Sequence, residues 1–125
     1  MKYVILIHNN AAVVDMFAAM TEEQRAAAYQ LYWTIESDLE QSGELVDSKA
    51  VDDRTQKVVR RGLAGTVVSD APAPESADVV SGYYLVDVAS ADRAYEIAAQ
   101  FPEAEVSGGI RVARALTQED FDAMS

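Results

Sequence analysis

The run Tyr3–Ile7 contains five consecutive apolar residues, and all of them except Leu6 are β-branched or aromatic. A strand with one solvated face alternates apolar and polar residues, so a run without alternation predicts a strand buried on both faces. The polar residues His8, Asn9 and Asn10 follow directly and mark the exit of this strand from the sheet. The run constrains the fold strongly, because a central strand of this kind needs cover on both sides of its sheet.

A long helix is predicted next. Thr21 and Gln24 match a capping box, in which each side chain bonds to the backbone N–H of the other residue. Gly43 stands where a glycine commonly ends a helix. Between them runs one apolar stripe with members three or four positions apart: Ala28, Leu31, Tyr32, Ile35 and Leu39. Tyr29 and Trp33 form an aromatic pair beside the stripe, with packing in a core or dimer and contact with a ligand as alternatives.

The remaining segments predict five further strands and two further helices. The predicted strands are Leu45–Val51, Thr55–Arg61, Gly65–Ser69, Gly82–Val88 and Glu105–Ala115. Thr55–Arg61 and Gly65–Ser69 form a hairpin across Gly62, with a turn longer than two residues. The predicted helices are Ser90–Phe101, which Pro102 stops, and a short capped helix over Thr117–Met124.

This order of elements predicts an α+β fold with a ferredoxin-like split βαβ sheet and an inserted hairpin. Right-handed crossovers place both long helices on one face of the sheet. The other face then carries Val4 and Leu6 without cover. A second copy of the same sheet is the simplest cover, so we expect a homodimer.

Composition limits the protein class further. A chain of 125 residues with 50% hydrophobic content predicts a single domain over residues 1–125. The formal net charge of −11 would repel nucleic acids and anionic membranes, so neither is an expected partner. The absence of cysteine excludes disulfides and thiol chemistry, which fits a cytoplasmic protein. Only one histidine accompanies scattered carboxylates, so no metal or other cofactor is expected.

The segment from Ser69 to Tyr84 resembles, without gaps, the signature of the YCII-related family, whose hallmark is Asp-Gly-Pro-Phe followed by Glu and by Gly-Phe-Tyr. Here the hallmark is the degenerate Ser69-Asp70-Ala71-Pro72-Ala73, followed by Glu75 and by Gly82-Tyr83-Tyr84. The opening Met1–Ile7, the Thr-Glu-Glu helix start and the spacing from Ala94 to Pro102 are similar to the same family. The resemblance therefore covers nearly the whole chain.

This resemblance implies a dimeric α/β-barrel built from ferredoxin-like protomers. Some members of the family have been proposed as enzymes with a His–Asp pair in the dimer cleft. Many members with the Asp-Gly-Pro-Phe hallmark are associated with alternative sigma factors. The chain departs from the pattern at Ala71, Ala73 and Ala77, and it has no histidine near the first helix, where those members carry theirs.

Five residues form the predicted site: His8, Asp70, Pro72, Tyr83 and Tyr84. A His8–Asp70 pair could perform general acid–base catalysis, with the carboxylate fixing the imidazole tautomer. The alternatives are a surface histidine at a strand end and an aspartate that only opens a turn. Tyr83 and Tyr84 must point to opposite faces of their strand, so one packs under the helices and the other faces an intersubunit cavity.

The preferred interpretation is a protein that binds a small organic ligand in an intersubunit cavity. Two alternatives remain. One is an enzyme that uses His8 and Asp70 as an acid–base pair. The other is a non-catalytic regulatory or scaffold protein, for example in a sigma-factor system.

Overall fold

The computed structural model describes residues 1–125. The strands are β1 (Lys2–Asn9), β2 (Leu45–Ala50), β3 (Lys57–Gly62), β4 (Gly65–Asp70), β5 (Val79–Asp87) and β6 (Ile110–Arg114). The helices are α1 (Ala11–Ala18), α2 (Glu22–Ser42), α3 (Ala91–Ala98) and α4 (Gln118–Met124), with a 3₁₀ turn over Pro102–Glu105. None of these helices combines the length and apolar character needed to cross a lipid bilayer.

The main sheet has four strands in the order β2-β5-β1-β6. Each hydrogen-bonded pair is antiparallel, so β1 and β2 run parallel with β5 between them. This is the split βαβ arrangement of a ferredoxin-like sheet, and it confirms the predicted α+β class. Strands β3 and β4 form a separate two-stranded hairpin, as predicted. In the single chain the main sheet is open, with β2 and β6 as its edges.

One face of the sheet carries the hydrophobic core. Tyr3, Ile5 and Ile7 of β1 belong to one buried cluster with residues of α2 and α3. The other main members of this cluster are Ile35, Leu39, Val86, Ala94, Ile97, Ala98 and Phe101. Both helices therefore cover the same face, as right-handed crossovers require. The predicted apolar stripe of α2 is confirmed, since Leu31 and Tyr32 pack against this cluster.

The capping chemistry of α2 is confirmed in detail. The Thr21 hydroxyl accepts a hydrogen bond from the Gln24 backbone N–H at 3.1 Å, and the Gln24 side chain accepts one from the Thr21 N–H at 2.9 Å. Gly43 ends the helix with a φ of 78°, a left-handed conformation that glycine adopts without steric cost.

The sequence analysis missed α1. The Asn10 side chain accepts a hydrogen bond from the Val13 N–H at 2.9 Å, so Asn10 is the N-cap of this helix. Strand β5 also begins earlier than predicted, because Val79 and Val80 extend the pairing with β1 past a bulge. The polar residues after Ile7 thus start a helix as well as ending a strand.

Three other boundaries differ from the prediction. The turn between β3 and β4 contains only Leu63 and Ala64, so it is a two-residue turn and not a longer one. Helix α3 ends at Ala98, before the predicted Phe101. The last strand is shorter than predicted and starts at Ile110, because a 3₁₀ turn and two glycines occupy the preceding residues.

The loop that carries the family-like signature is fixed by polar contacts. Pro74 is fully buried, whereas Pro72 is exposed. Asp78 accepts a hydrogen bond from the Asn10 side-chain amide at 3.0 Å and another from Arg111 at 3.2 Å. The loop is therefore attached to the end of β1 and to the edge strand β6.

Gly109 permits the close approach of two segments. A Cβ atom at this position would lie 2.2 Å from the carbonyl oxygen of Glu103, a distance that no side chain can tolerate. The Gly109 carbonyl also accepts a hydrogen bond from the His8 backbone N–H at 2.8 Å. This contact therefore sets the position of the 3₁₀ turn against the end of β1.

We expect Gly109→Ala to lower the free energy of unfolding by about 3 kcal/mol, because the added methyl group must displace the 3₁₀ turn. Gly108→Ala is the matched control: its φ of 81° costs about 1 kcal/mol, but a Cβ atom there would be 3.7 Å from its nearest neighbour. Urea denaturation of both variants provides the measurement. An equal or smaller loss for Gly109→Ala would contradict the proposed steric role.

Candidate functional site

A cavity of about 640 Å³ lies between α1, α2 and the ends of strands β1, β2 and β5. It is on the same side of the sheet as the helices, and one chain supplies every lining residue. Its aromatic members are Phe17, Tyr29, Tyr32, Trp33 and Tyr84. Its carboxylates are Glu36, Asp53 and Glu103, and its other polar members include Asn9, Ser48 and Ser81.

Small residues of the sheet form the floor of this cavity. Gly82 pairs with Ile7 on one side and with Ala50 on the other, and all three residues line the cavity. A Cβ atom at Gly82 would lie 3.1 Å from the Lys49 carbonyl oxygen, so glycine also permits the tight approach of β2.

Helix α1 supplies part of the cavity wall. Val13 is buried, and the Phe17 ring stacks on the Tyr29 ring of α2 with 6.3 Å between centroids and an interplanar angle of 13°. Tyr29 and Trp33 are 54% and 65% exposed, so they lie at the rim of the cavity and not in the core. Packing in the core of the chain is therefore wrong for this aromatic pair, while packing in a dimer and contact with a partner or ligand stay predictions.

Glu103 is the most deeply buried carboxylate of the cavity, with 6% of its surface exposed. The Tyr32 hydroxyl donates a hydrogen bond to Glu103 Oε2 at 2.5 Å. Burial raises the pKa of Glu103, and the bond from Tyr32 opposes that rise without cancelling it. Glu103 Oε1 is buried without a hydrogen-bond partner in the chain.

The pKa values of Tyr32 and Tyr84, two half-buried tyrosines of the cavity lining, are raised as well. Burial raises the pKa of Tyr32, and the neighbouring Glu103 carboxyl group adds to this effect. Burial, with smaller contributions from Glu36 and Glu103, raises the pKa of Tyr84 to about 12. The centroids of the Tyr84 and Phe101 rings lie 4.9 Å apart, so Tyr84 packs against the hydrophobic core. Both phenols are therefore neutral hydrogen-bonding groups at neutral pH.

Two further polar pairs line the cavity. The Ser48 hydroxyl donates a hydrogen bond to Glu36, and the Asn9 side-chain amide donates one to Asp53 at 2.9 Å. Because the Asn9 side-chain nitrogen donates this second bond, its Oδ1 atom is left as an acceptor. This oxygen is buried and has no partner in the chain. Asn9 Oδ1 and Glu103 Oε1 are thus enclosed by other atoms of the chain, with no surface open to the cavity.

The structure separates the predicted site residues. Tyr84 lines the cavity, but Tyr83 points to the opposite face, where its hydroxyl donates to Asp47 at 2.6 Å. Asp70 lies on the hairpin with its side chain 86% exposed and bonded to Lys57. Pro72 is exposed in the loop that follows. The predicted opposite orientation of the two tyrosines is confirmed.

His8 is 5% exposed, so the alternative of a surface histidine is wrong. The charged side chains that shift the pKa of His8 are Arg111 and Asp78, and Asp70 is not among them. Burial lowers the pKa of His8, Arg111 lowers it further and Asp78 opposes both. The structure does not join His8 and Asp70 by a hydrogen bond, because the Asp70 carboxylate bonds to Lys57.

The acidic residues of the signature loop have separate partners. Asp70 pairs with Lys57, Glu75 with Arg54, and Asp78 with Arg111. No three histidine, aspartate or glutamate side chains of the protein are grouped so that they could hold a metal ion. The three carboxylates Asp70, Glu75 and Asp78 are therefore separate groups, each with its own basic partner.

The fold and the cavity define a ferredoxin-like α+β protein with an aromatic, acidic pocket between its helices and its sheet. The model of the YCII-related domain matches residues 1–118, and the chain belongs to this family. The resemblance inferred from the sequence is thereby confirmed at the level of the family. A comparison with curated proteins gave no match.

The sequence analysis missed most of the cavity. The spacing along α2 predicts Tyr32 only as a core residue. Glu103 follows a helix-stopping proline, and no sequence motif marks it. One available signal was the aromatic pair Tyr29 and Trp33, for which the sequence allows both packing and contact with a ligand. Another was Gly82 beside Tyr83 and Tyr84, where a missing side chain within a strand can indicate space for a ligand.

The raised pKa of Glu103 predicts a pH-dependent cost to stability. The native state holds this proton more tightly than the unfolded chain, so its contribution to stability is greatest below the ordinary pKa of 4.5 and is lost as pH rises through the native pKa. Glu103→Gln keeps an acceptor for Tyr32 and removes the titration. The free energy of unfolding of the native protein should therefore fall, relative to Glu103→Gln, as pH rises from 4.5 to 8.

Chemical denaturation across this pH range measures the difference between the two proteins. Glu105→Gln makes the same change in charge on an exposed position of the same 3₁₀ turn, and it controls for net charge. A tenfold change in acid dissociation corresponds to about 1.4 kcal/mol. A native protein that gains stability over Glu103→Gln with rising pH would show that Glu103 is stabilised as a carboxylate.

Proposed function

We propose that this protein binds a small organic ligand in the cavity between α1, α2 and the sheet. The observation that carries this proposal is the cavity of about 640 Å³, whose lining combines five aromatic side chains with the buried carboxyl group of Glu103. Pockets for small molecules are typically about 300–1,000 Å³, mostly apolar and equipped with a few polar groups. The cavity has this size and composition.

The buried carboxyl group of Glu103 supports a binding role. Burying such a group costs free energy, and shifted pKa values of buried groups in clefts are frequent at functional sites. The exposed Trp33 and Tyr29 at the rim have the same implication, because large aromatic side chains on a surface often contact a ligand or partner. The acid–base pair His8–Asp70 has no comparable support, since Asp70 is exposed on the hairpin.

The site proposed here differs in position from an intersubunit cavity. Its lining comes from α1, α2, β1, β2, β5 and the 3₁₀ turn of one chain. The cavity lies on the helix-covered face of the sheet, whereas Val4 and Leu6 lie on the opposite face.

A substitution that fills the cavity should abolish binding. Ala50→Phe places a ring over the floor beside Gly82, and we expect at least a tenfold loss of affinity for the neutral fluorescent dye N-phenyl-1-naphthylamine. Dye titration by fluorescence provides the measurement, and circular dichroism checks that the fold is intact. Ala27→Phe is the matched control, because Ala27 is exposed on α2 and does not line the cavity. Equal dye binding by both variants would place the dye outside the cavity.

The face of the sheet opposite the helices supports a homodimer, which we propose as the state of the protein. Register places Val4 beside Leu85 and Ala113, and Leu6 beside Tyr83, on this face. Val4, Leu6 and Leu85 remain half-buried in the single chain. Packing this face on its symmetry copy would cover it and produce the α/β-barrel that family resemblance implies.

Val4→Glu should convert the dimer to a monomer, since it would bury a carboxylate whose direct cross-strand neighbours are the apolar Leu85 and Ala113. Light scattering after size-exclusion chromatography should give twice the chain mass of 13.6 kDa for the native protein and the single mass for the variant. Leu63→Glu, at the fully exposed tip of the hairpin, is the control and should remain dimeric. A monomeric native protein would exclude this arrangement.

A further inference from the structure

The geometry points to a specific ligand class, an organic cation that carries N–H donors on an apolar body, such as a protonated primary amine with an aromatic group. This inference rests on the proposed binding function and specifies the chemistry of the same site. Two features of the cavity support it: its carboxylates, none of which forms an ion pair, and its aromatic walls.

The carboxylates of the cavity have no cationic partner. Glu36, Asp53 and Glu103 all line the cavity, and none takes part in the ion pairs that the protein forms elsewhere. Lys49 is the one basic residue in the lining, and its ammonium group bonds to Asp47 at 2.7 Å. The cavity therefore concentrates negative charge, and a bound cation would compensate it.

The aromatic walls favour the same charge. Five rings line the cavity, from Phe17, Tyr29, Tyr32, Trp33 and Tyr84. The face of an aromatic ring carries negative potential and attracts a cation within about 6 Å, most strongly for tryptophan. The rings also give an apolar surface against which the body of the ligand can pack.

Other classes of ligand fit less well. An organic anion would meet three carboxylates and the negative faces of the rings. An alcohol could donate one hydrogen bond, but it would leave the carboxylates uncompensated. The cavity carboxylates do not form a group that could hold a metal ion. A bound organic cation therefore interacts with separate carboxylates along the cavity.

The test compares ligands that share a skeleton and differ in charge. The probes are 2-phenylethylammonium, 2-phenylethanol and 3-phenylpropanoate, together with the corresponding cyclohexyl compounds. Binding is followed through Trp33, the one tryptophan of the chain, by the NMR signal of its indole N–H. We expect the ammonium compounds to bind at least tenfold more tightly than the alcohols, and the carboxylates to bind more weakly than the alcohols.

A charge-removing variant provides the second part of the test. Glu36→Gln keeps an acceptor for Ser48 and removes one charge from the cavity, so we expect affinity for 2-phenylethylammonium to fall about fivefold, with no loss for 2-phenylethanol. Glu40→Gln is the matched control, because Glu40 is exposed on the same helix and does not line the cavity. It should leave both affinities unchanged.

The outcomes separate this inference from the proposed function. Alcohols or carboxylates that shift the Trp33 signal as strongly as the ammonium compounds would overturn the cationic ligand and leave the binding cavity intact. An equal effect of Glu36→Gln and Glu40→Gln would also overturn it, because the attraction would then come from net charge alone. If no probe of any charge binds, both the inference and the binding function are wrong.

Discussion

Strand β1 has neighbours on both edges, and the arrangement of the other elements depends on it. It is hydrogen-bonded to β5 along one edge and to β6 along the other. One face carries Tyr3, Ile5 and Ile7 into the core beneath the helices, and the other presents Val4 and Leu6. Its last residue, Asn9, lines the cavity. A single strand therefore supports the core, the open sheet face and the site.

Small residues of the sheet form part of the floor of the cavity, where Gly82 of β5 pairs with Ala50 of β2. The polar groups around this space come from distant parts of the chain. Glu103 lies 71 residues from its hydrogen-bond partner Tyr32, and Asp53 lies 44 residues from Asn9. Such a site is assembled only when the sheet, both helices and the 3₁₀ turn are in place.

Features set by local chemistry could be predicted from the sequence, and features set by long-range packing could not. The capping box at Thr21 and Gln24 and the stop at Gly43 depend on a few adjacent residues, and each was confirmed. Helix α1 was missed because Asn10 serves both as the polar end of a strand and as a helix cap. Tyr32 was correctly placed on the buried stripe, but its bond to Glu103 follows from tertiary structure that no spacing reveals. The family-like signature drew attention to Asp70 and Pro72, whereas the cavity lies elsewhere.

The side chain of Asn10 connects the signature loop to the wall of the cavity. Its oxygen caps α1, the helix that supplies Val13 and Phe17, and its amide group bonds to Asp78 in the loop. Because the Asn10 side chain bonds to both segments, the position of the loop depends on the position of α1. Changes in the loop can alter the shape of the cavity without contacting its contents, so the loop and the pocket should vary together as one unit among proteins that share this fold.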